Sequence, residues 1–116
     1  HSLRAEVHRR IFLNNDIFES RMAPWSESVV LQIFQHLLRA VATMHAAGYS
    51  HCDIKLENIL CKGSNVQHLT TPLLMDFGSV GPLSRPLQSR QDVLEIAEIA
   101  SQHTTISYRP PELFAG

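Results

Sequence analysis

The run His51-Cys52-Asp53-Ile54-Lys55-Leu56-Glu57-Asn58 sets a carboxylate, an amine and a carboxamide two and then three positions apart, and Asp76-Phe77-Gly78 adds a second carboxylate before a glycine. Transfer of a phosphoryl group makes few covalent demands on a protein. It needs a base for the hydroxyl proton, a cation to offset charge on the transferred group, and oxygen ligands for magnesium. Asp53 can accept the proton. Lys55, on the same side of an extended loop, can touch a γ-phosphate, while Asn58 offers a neutral oxygen and Asp76 a charged one to a hard cation. With each position drawn at about one in twenty, the four fixed residues of HxDxKxxN arise by chance in about one chain in a thousand of this length.

These residues need elements to hold them, and 116 residues allow one small domain or part of one. The composition, 44% apolar and 18% charged, is that of domain interior more than of a solvated tail. A net charge of -1 provides no basic field for a phosphate backbone, so nucleic acid is not an expected partner. No run of 18 apolar residues is present to suggest a membrane span. The two cysteines, Cys52 and Cys61, make neither a disulfide framework nor a CxxC pair, which fits a reducing intracellular setting.

Leu3, Val7 and Ile11 recur every four residues, with Glu6 able to pair with Arg9 or Arg10, which predicts a short amphipathic helix ending at Asn14-Asn15-Asp16. Ser26, after Pro24-Trp25, is placed to cap a helix running to about Ala47, where Gly48 stops it. Its polar stripe, Gln32, His36, Arg39 and Thr43, is narrow, so burial on most sides is expected. After a loop from Tyr49 to Asn58, Ile59-Leu60-Cys61 and Leu73-Leu74-Met75 predict a small hairpin, with a turn-rich stretch containing Gly63-Ser64-Asn65 between them. Ser89 with Asp92 predicts a capped helix through Val93, Leu94, Ile96 and Ile99. Thr104 to Pro111 should then be extended, since Pro110-Pro111 blocks further helix.

Together, HCDIKLEN, MDFG and Arg109-Pro110-Pro111-Glu112 resemble the catalytic loop, the magnesium-binding DFG and the APE segment of eukaryotic protein kinases. The stretch Thr105 to Phe114, with Leu74-Met75-Asp76 and Gly78-Ser79, is similar to the Numb-associated kinase family, in particular its branch of myristoylated and palmitoylated serine/threonine kinases. The resemblance implies an α+β, protein-kinase-like fold, of which residues 1–116 supply a carboxyl-lobe portion, mainly helical with one small β-hairpin. It implies ATP and Mg2+ as cofactors and serine or threonine hydroxyls of proteins as substrates. Asp53 would be the catalytic base and Lys55 the phosphate contact. Asn58 and Asp76 would ligate the metal, and Leu60 would floor the adenine pocket. Thr105 would lie in the substrate loop. His51 and Phe77 would stack in a hydrophobic spine, and Glu112 would pair with an arginine lying past Gly116. A helical insertion between DFG and APE, here Ser89 to Ser101, is likewise a feature of the branch it resembles.

Residues 1–50 contain no glycine-rich phosphate loop and no lysine-bearing strand, and the chain does not begin with methionine, so a partial domain that is inactive by itself is expected. The resemblance places the complete protein in the cytoplasm, with membrane attachment through an amino-terminal region outside these residues. Cys52 stands where the family more often has an arginine that grips a phosphorylated activation loop, so activity independent of such phosphorylation is expected. A zinc site from His45, His51, Cys52 and Cys61 lacks ligand spacing. Two other functions fit parts of the pattern. Aminoglycoside-type phosphotransferases share HxDxxxxN and a later metal-binding aspartate, but Lys55, the DFG and the Thr105 to Glu112 segment argue against them. A pseudokinase or scaffold role is disfavoured by the presence of all four catalytic residues.

Overall fold

A computed structural model describes residues 2–13, 25–62 and 71–114. The segments Asn14-Asn15-Asp16 and Gly63-Ser64-Asn65, and Pro24, lie outside the described residues. The chain forms two compact units, one of residues His1–Ala40 and Leu56–Met75, the other of Val41–Lys55 and Asp76–Gly116.

In the first unit, α1 spans Leu3–Leu13. Ser2 starts it: its hydroxyl accepts the Ala5 N–H at 3.1 Å and its carbonyl the Glu6 N–H at 3.1 Å. α2 spans Glu27–Ala46. The Ser26 hydroxyl accepts the Val29 N–H at 3.4 Å, the expected cap. The helix closes at Gly48, whose φ of +85° lies in the left-handed region that favours glycine and whose N–H reaches the His45 carbonyl at 3.0 Å.

Strands β2 (Ile59–Lys62) and β3 (Thr71–Leu74) pair antiparallel, with Ile59 opposite Leu74, Leu60 opposite Leu73 and Cys61 opposite Pro72. Met75 lies one residue past the strand, and its N–H continues the pairing to the Asn58 carbonyl at 2.9 Å. Side chains alternate across a strand, so this register sends Ile59, Cys61, Pro72 and Leu74 to one face and Leu60 and Leu73 to the other. Burial agrees. Leu3, Ile33, Ile59 and Cys61 form the core, with Val7, Trp25, Val29, Leu37, Leu56 and Leu74 packed against it.

The stripe Val29, Ile33, Leu37 at helical spacing explains how α2 joins that core. The expected burial on most sides is not found. Val30, Leu31, Phe34 and Leu38, on another face, are each about half exposed, because α1 and the hairpin cover only one side of the helix and the other has no cover among the described residues. No helix among the described residues is long and apolar enough to cross a membrane.

The second unit contains an element that the residues did not suggest. Tyr49–Ser50 (β1) pairs antiparallel with Gly81–Pro82 (β4), and the Leu83 N–H extends this to the Gly48 carbonyl at 3.0 Å. The single hairpin expected is therefore joined by a second two-stranded pairing. Strands of two residues carry no measurable periodicity, and a proline in β4 masks the signal further.

Helix α3 spans Arg90–His103, ending two residues later than expected. Its capping box is reciprocal: Ser89 Oγ accepts the Asp92 N–H at 3.2 Å, and Asp92 Oδ2 accepts the N–H groups of Ser89 at 2.8 Å and Gln88 at 2.9 Å. Those hydrogen bonds, the one from Gln88 foremost, hold the Asp92 carboxyl below the usual aspartate range. A lowered folded-state value stabilises the helix start above the ordinary carboxylate pKa, and the effect is lost as pH falls through the lower one. Substituting Ser89→Ala should cost about 0.5–2 kcal/mol by urea denaturation at neutral pH, and an unchanged midpoint would show the box to be idle.

The stretch after α3 is not uniformly extended. Short 3-10 turns at Ile106–Tyr108 and Pro111–Leu113 interrupt it, with extended residues at Thr104, Thr105, Arg109 and Pro110. Proline stops an α-helix by removing a donor and clashing with the preceding turn, yet the first position of a short turn has no use for that donor. Pro111 occupies that position.

Candidate active site

Asp53 leads the site. Its side chain is 12% exposed, and Thr105, 52 residues away in the chain, holds it by two bonds. The Thr105 hydroxyl donates to Oδ1 at 2.8 Å and the Thr105 N–H donates to the same oxygen at 3.2 Å. Lys55 completes the group: its Nζ donates to Thr105 Oγ1 at 2.6 Å and lies 3.4 Å from Asp53 Oδ2. Burial pushes the Asp53 carboxyl up, but the Thr105 hydroxyl, the Lys55 charge and the Thr105 N–H together outweigh it and hold the group below the usual aspartate range. Asp53 is thus an ionised, oriented carboxylate at neutral pH.

The Asp53 N–H donates to His51 Nδ1 at 3.2 Å, which leaves the imidazole proton to Nε2. His51 is the most buried side chain described, 2% exposed, and its ring lies 5.6 Å from that of Phe77 at a tilt of 58°. The two rings lie in a tilted geometry, which aromatic pairs favour over face-to-face stacking. Phe77 itself is 57% exposed.

Asp76 sits at φ +61° and ψ +79°, caps the turn Phe77–Ser79, and accepts the Gly78 N–H at 3.3 Å. Aspartate tolerates the left-handed region better than most residues, and strain of this kind gathers at functional turns. Gly78 suits the turn because a Cβ there would lie 3.2 Å from Asp76 Oδ1. The result is an exposed carboxylate on a tight loop. The other non-glycine residue in the left-handed region among the described residues is Cys52, at φ +68°, next to Asp53 in the chain.

Asn58 and Leu60 belong to the first unit. Asn58 is 5% exposed, on the 3-10 turn Leu56–Asn58 that leads into β2. Leu60 shares with Leu73 the hairpin face turned away from the core, where Leu73 is 46% exposed. An apolar pair on an open face suits the flat ring of a nucleotide base. Among the described residues no cluster of three or more His, Cys, Asp or Glu could hold a metal. Magnesium does not require one, since it keeps several waters and is usually held by one or two protein oxygens plus substrate phosphates. Asp76 offers a charged oxygen and Asn58 a neutral one, the two ligand types such a role uses.

Glu112 is exposed on the turn Pro111–Leu113, and no ion pair to it forms among the described residues. Three further residues had no predicted role. The Ser79 hydroxyl donates to the His103 carbonyl at 2.6 Å, tying the Asp76 turn to the end of α3. Thr104 caps α3, its N–H and hydroxyl both donating to the Ala100 carbonyl, at 3.0 and 2.5 Å. Arg109 grips Thr104, with Nε donating to its Oγ1 at 2.8 Å and Nη2 to its carbonyl at 3.2 Å, while the guanidinium lies over the Phe114 ring. The Thr104 contacts keep the i to i−4 spacing of the helix they end, whereas those of Ser79 and Arg109, 24 and 5 residues apart, follow no helical or strand spacing. An arginine in a proline-bounded turn was the one signal available.

A sequence model of the family described as Protein kinase domain matches residues 6–116. Among curated proteins, the chain is 37% identical over 90 residues to serine/threonine-protein kinase 16 of Rattus norvegicus, covering 78% of this chain and 28% of that protein. It is 36% identical over 89 residues to actin-regulating kinase 1 of Saccharomyces cerevisiae, covering 75% of this chain and 13% of that protein. It is also 30% identical over 97 residues to serine/threonine-protein kinase MAK of Rattus norvegicus, covering 84% of this chain and 13% of that protein. The chain thus spans 28% or less of the length of these relatives.

Proposed function

The chain belongs to the protein kinase family, and from that premise we propose that it supplies the catalytic loop and metal-binding turn of a serine/threonine protein kinase, which moves the γ-phosphate of ATP to protein hydroxyls. Kinases named for serine and threonine among its relatives support the substrate class. The observation that carries the reading is the grip of Thr105 and Lys55 on Asp53.

In this reading Asp53 orients the substrate hydroxyl and takes its proton. Two donors on Oδ1 restrict the rotation of the carboxylate, so the substrate meets a prepositioned base, which is the form of assistance that phosphoryl transfer can use. Lys55 has three N–H donors. Thr105 Oγ1 and Asp53 Oδ2 occupy two of its directions, and the third can meet a phosphate oxygen. Asp76 and Asn58 would hold magnesium, whose charge offsets that of the phosphates. Leu60 would lie against the adenine. The Numb-associated branch is part of this proposal, supported by the Thr105 to Phe114 segment and by α3 lying between the DFG and the Pro110-Pro111-Glu112 turn.

Steady-state assays of the protein bearing this domain, with peptides offering one Ser, Thr or Tyr and with an aminoglycoside as competing acceptor, test the reading. Label should appear on Ser and Thr peptides. Transfer only to the aminoglycoside, or to tyrosine alone, would sink it.

A further inference from the structure

Arg109 lies five residues past Thr104 and 56 past Asp53, and both meet one peptide group. The carbonyl of the Thr104–Thr105 peptide accepts Arg109 Nη2 at 3.2 Å, and the N–H of that same peptide donates to Asp53 Oδ1 at 3.2 Å. A peptide unit is planar and trans, so its C=O and N–H point in opposite directions and cannot turn independently. We propose that Arg109 is a positioning residue which locks the plane of the Thr104–Thr105 peptide, and through it the orientation of the Asp53 carboxylate. The inference rests on the reading of Asp53 as the base.

Three features of the geometry support it. First, the guanidinium uses two edges of its rigid fork, Nε on the Thr104 hydroxyl and Nη2 on the Thr104 carbonyl, so it fixes the side chain and the backbone of one residue at once. Second, Phe114 backs the guanidinium face at 5.1 Å from the ring centroid, which limits its swing. Third, a cation on an amide carbonyl polarises the amide and strengthens its N–H as a donor, and the acceptor at that N–H is an anion. The far end of the peptide is equally constrained, since the Thr104 hydroxyl that accepts from Arg109 also donates to the Ala100 carbonyl at 2.5 Å. Among the groups that face Asp53 directly are Lys55 at Oδ2, Thr105 at Oδ1 and His51 at its backbone N–H.

The test uses Arg109→Gln and Arg109→Lys in the protein bearing this domain, with the Asp53 titration followed by side-chain carboxyl NMR and with steady-state phosphorylation measured in parallel. Both variants should raise the Asp53 pKa, and both should lower kcat by about ten- to a hundredfold while KM for ATP stays within about twofold. Lysine keeps the charge but cannot serve two acceptors in fixed directions. If Arg109→Lys titrates as the wild type and only Arg109→Gln shifts, charge alone is responsible and the two-point grip is refuted. An unchanged Asp53 titration in both overturns the proposal, even if stability falls. Should Arg109→Gln fail to fold, Arg109→Lys decides alone. A wild type that transfers no phosphate, with Asp53 titrating low and rising in the variants, would sink the kinase reading and leave the positioning role standing.

Discussion

Replacing Asp53 by asparagine should lower kcat by roughly 10²–10⁴-fold, the range a positioned general base contributes. Asparagine keeps an oxygen where Oδ1 accepts the Thr105 hydroxyl and N–H, so the loop geometry should survive and KM for ATP should move little. Alanine in its place would remove both the base and the anchor for Thr105. Comparing the two therefore separates proton acceptance from loop order. Retention of activity to within tenfold in Asp53→Asn would remove this residue from the mechanism. A companion expectation concerns pH. The Asp53 carboxyl is held below its ordinary value by Thr105 and Lys55 against the opposing effect of burial. A lowered folded-state pKa means that the contacts of the ionised group stabilise fully above the unfolded carboxylate value of about 3.9 and are lost as pH falls through the folded one. The acid limb of kcat/KM due to Asp53 should therefore lie below about pH 4, and a limb near pH 6 that vanishes in Asp53→Asn would contradict the observed hydrogen bonds.

Truncating Ile33 to alanine should destabilise the protein by about 2–5 kcal/mol in urea denaturation. Ile33 is 6% exposed and meets Leu3 of α1 and Ile59 and Cys61 of β2 in the core of the first unit. The loss combines the transfer of apolar surface with the cavity left behind, and a small core has few other contacts to close around it. Domains are stable by only about 5–15 kcal/mol, so one such change is a large fraction of the whole. Truncation of the exposed Leu31 on the same helix, by contrast, should cost less than about 1 kcal/mol. Equal effects at the two positions would mean that the exposed face of α2 is covered in solution.

The contrast between these positions shows how far residue patterns reach. Val29, Ile33 and Leu37 lie at helical spacing, but so do Val30, Phe34 and Leu38, and periodicity alone does not say which stripe meets a neighbour. The choice depends on where α1 and the β2–β3 hairpin lie. Helix ends were more legible. Ser26, Gly48 and the Ser89/Asp92 pair act through bonds within four residues, so their partners stand beside them in the chain. The β1–β4 pairing escaped notice because two-residue strands have no period, and the 3-10 turns at Ile106–Tyr108 and Pro111–Leu113 because proline forbids a long helix but permits one short turn.

For the candidate site the division is the same. Residue type and spacing alone singled out Asp53, Lys55, Asn58 and Asp76 as the set proposed for phosphoryl transfer, since the capacity to act as a base, a cation or a metal ligand is a property of the side chain. Only the tertiary structure decided that Thr105 reaches back 52 residues to hold Asp53 by two bonds, that Lys55 bridges the pair, and that Arg109 grips the peptide which presents the Thr105 N–H. Those contacts join residues whose separation has no fixed period, and a hydrogen bond specifies a distance and a direction in space, which no spacing along a chain encodes.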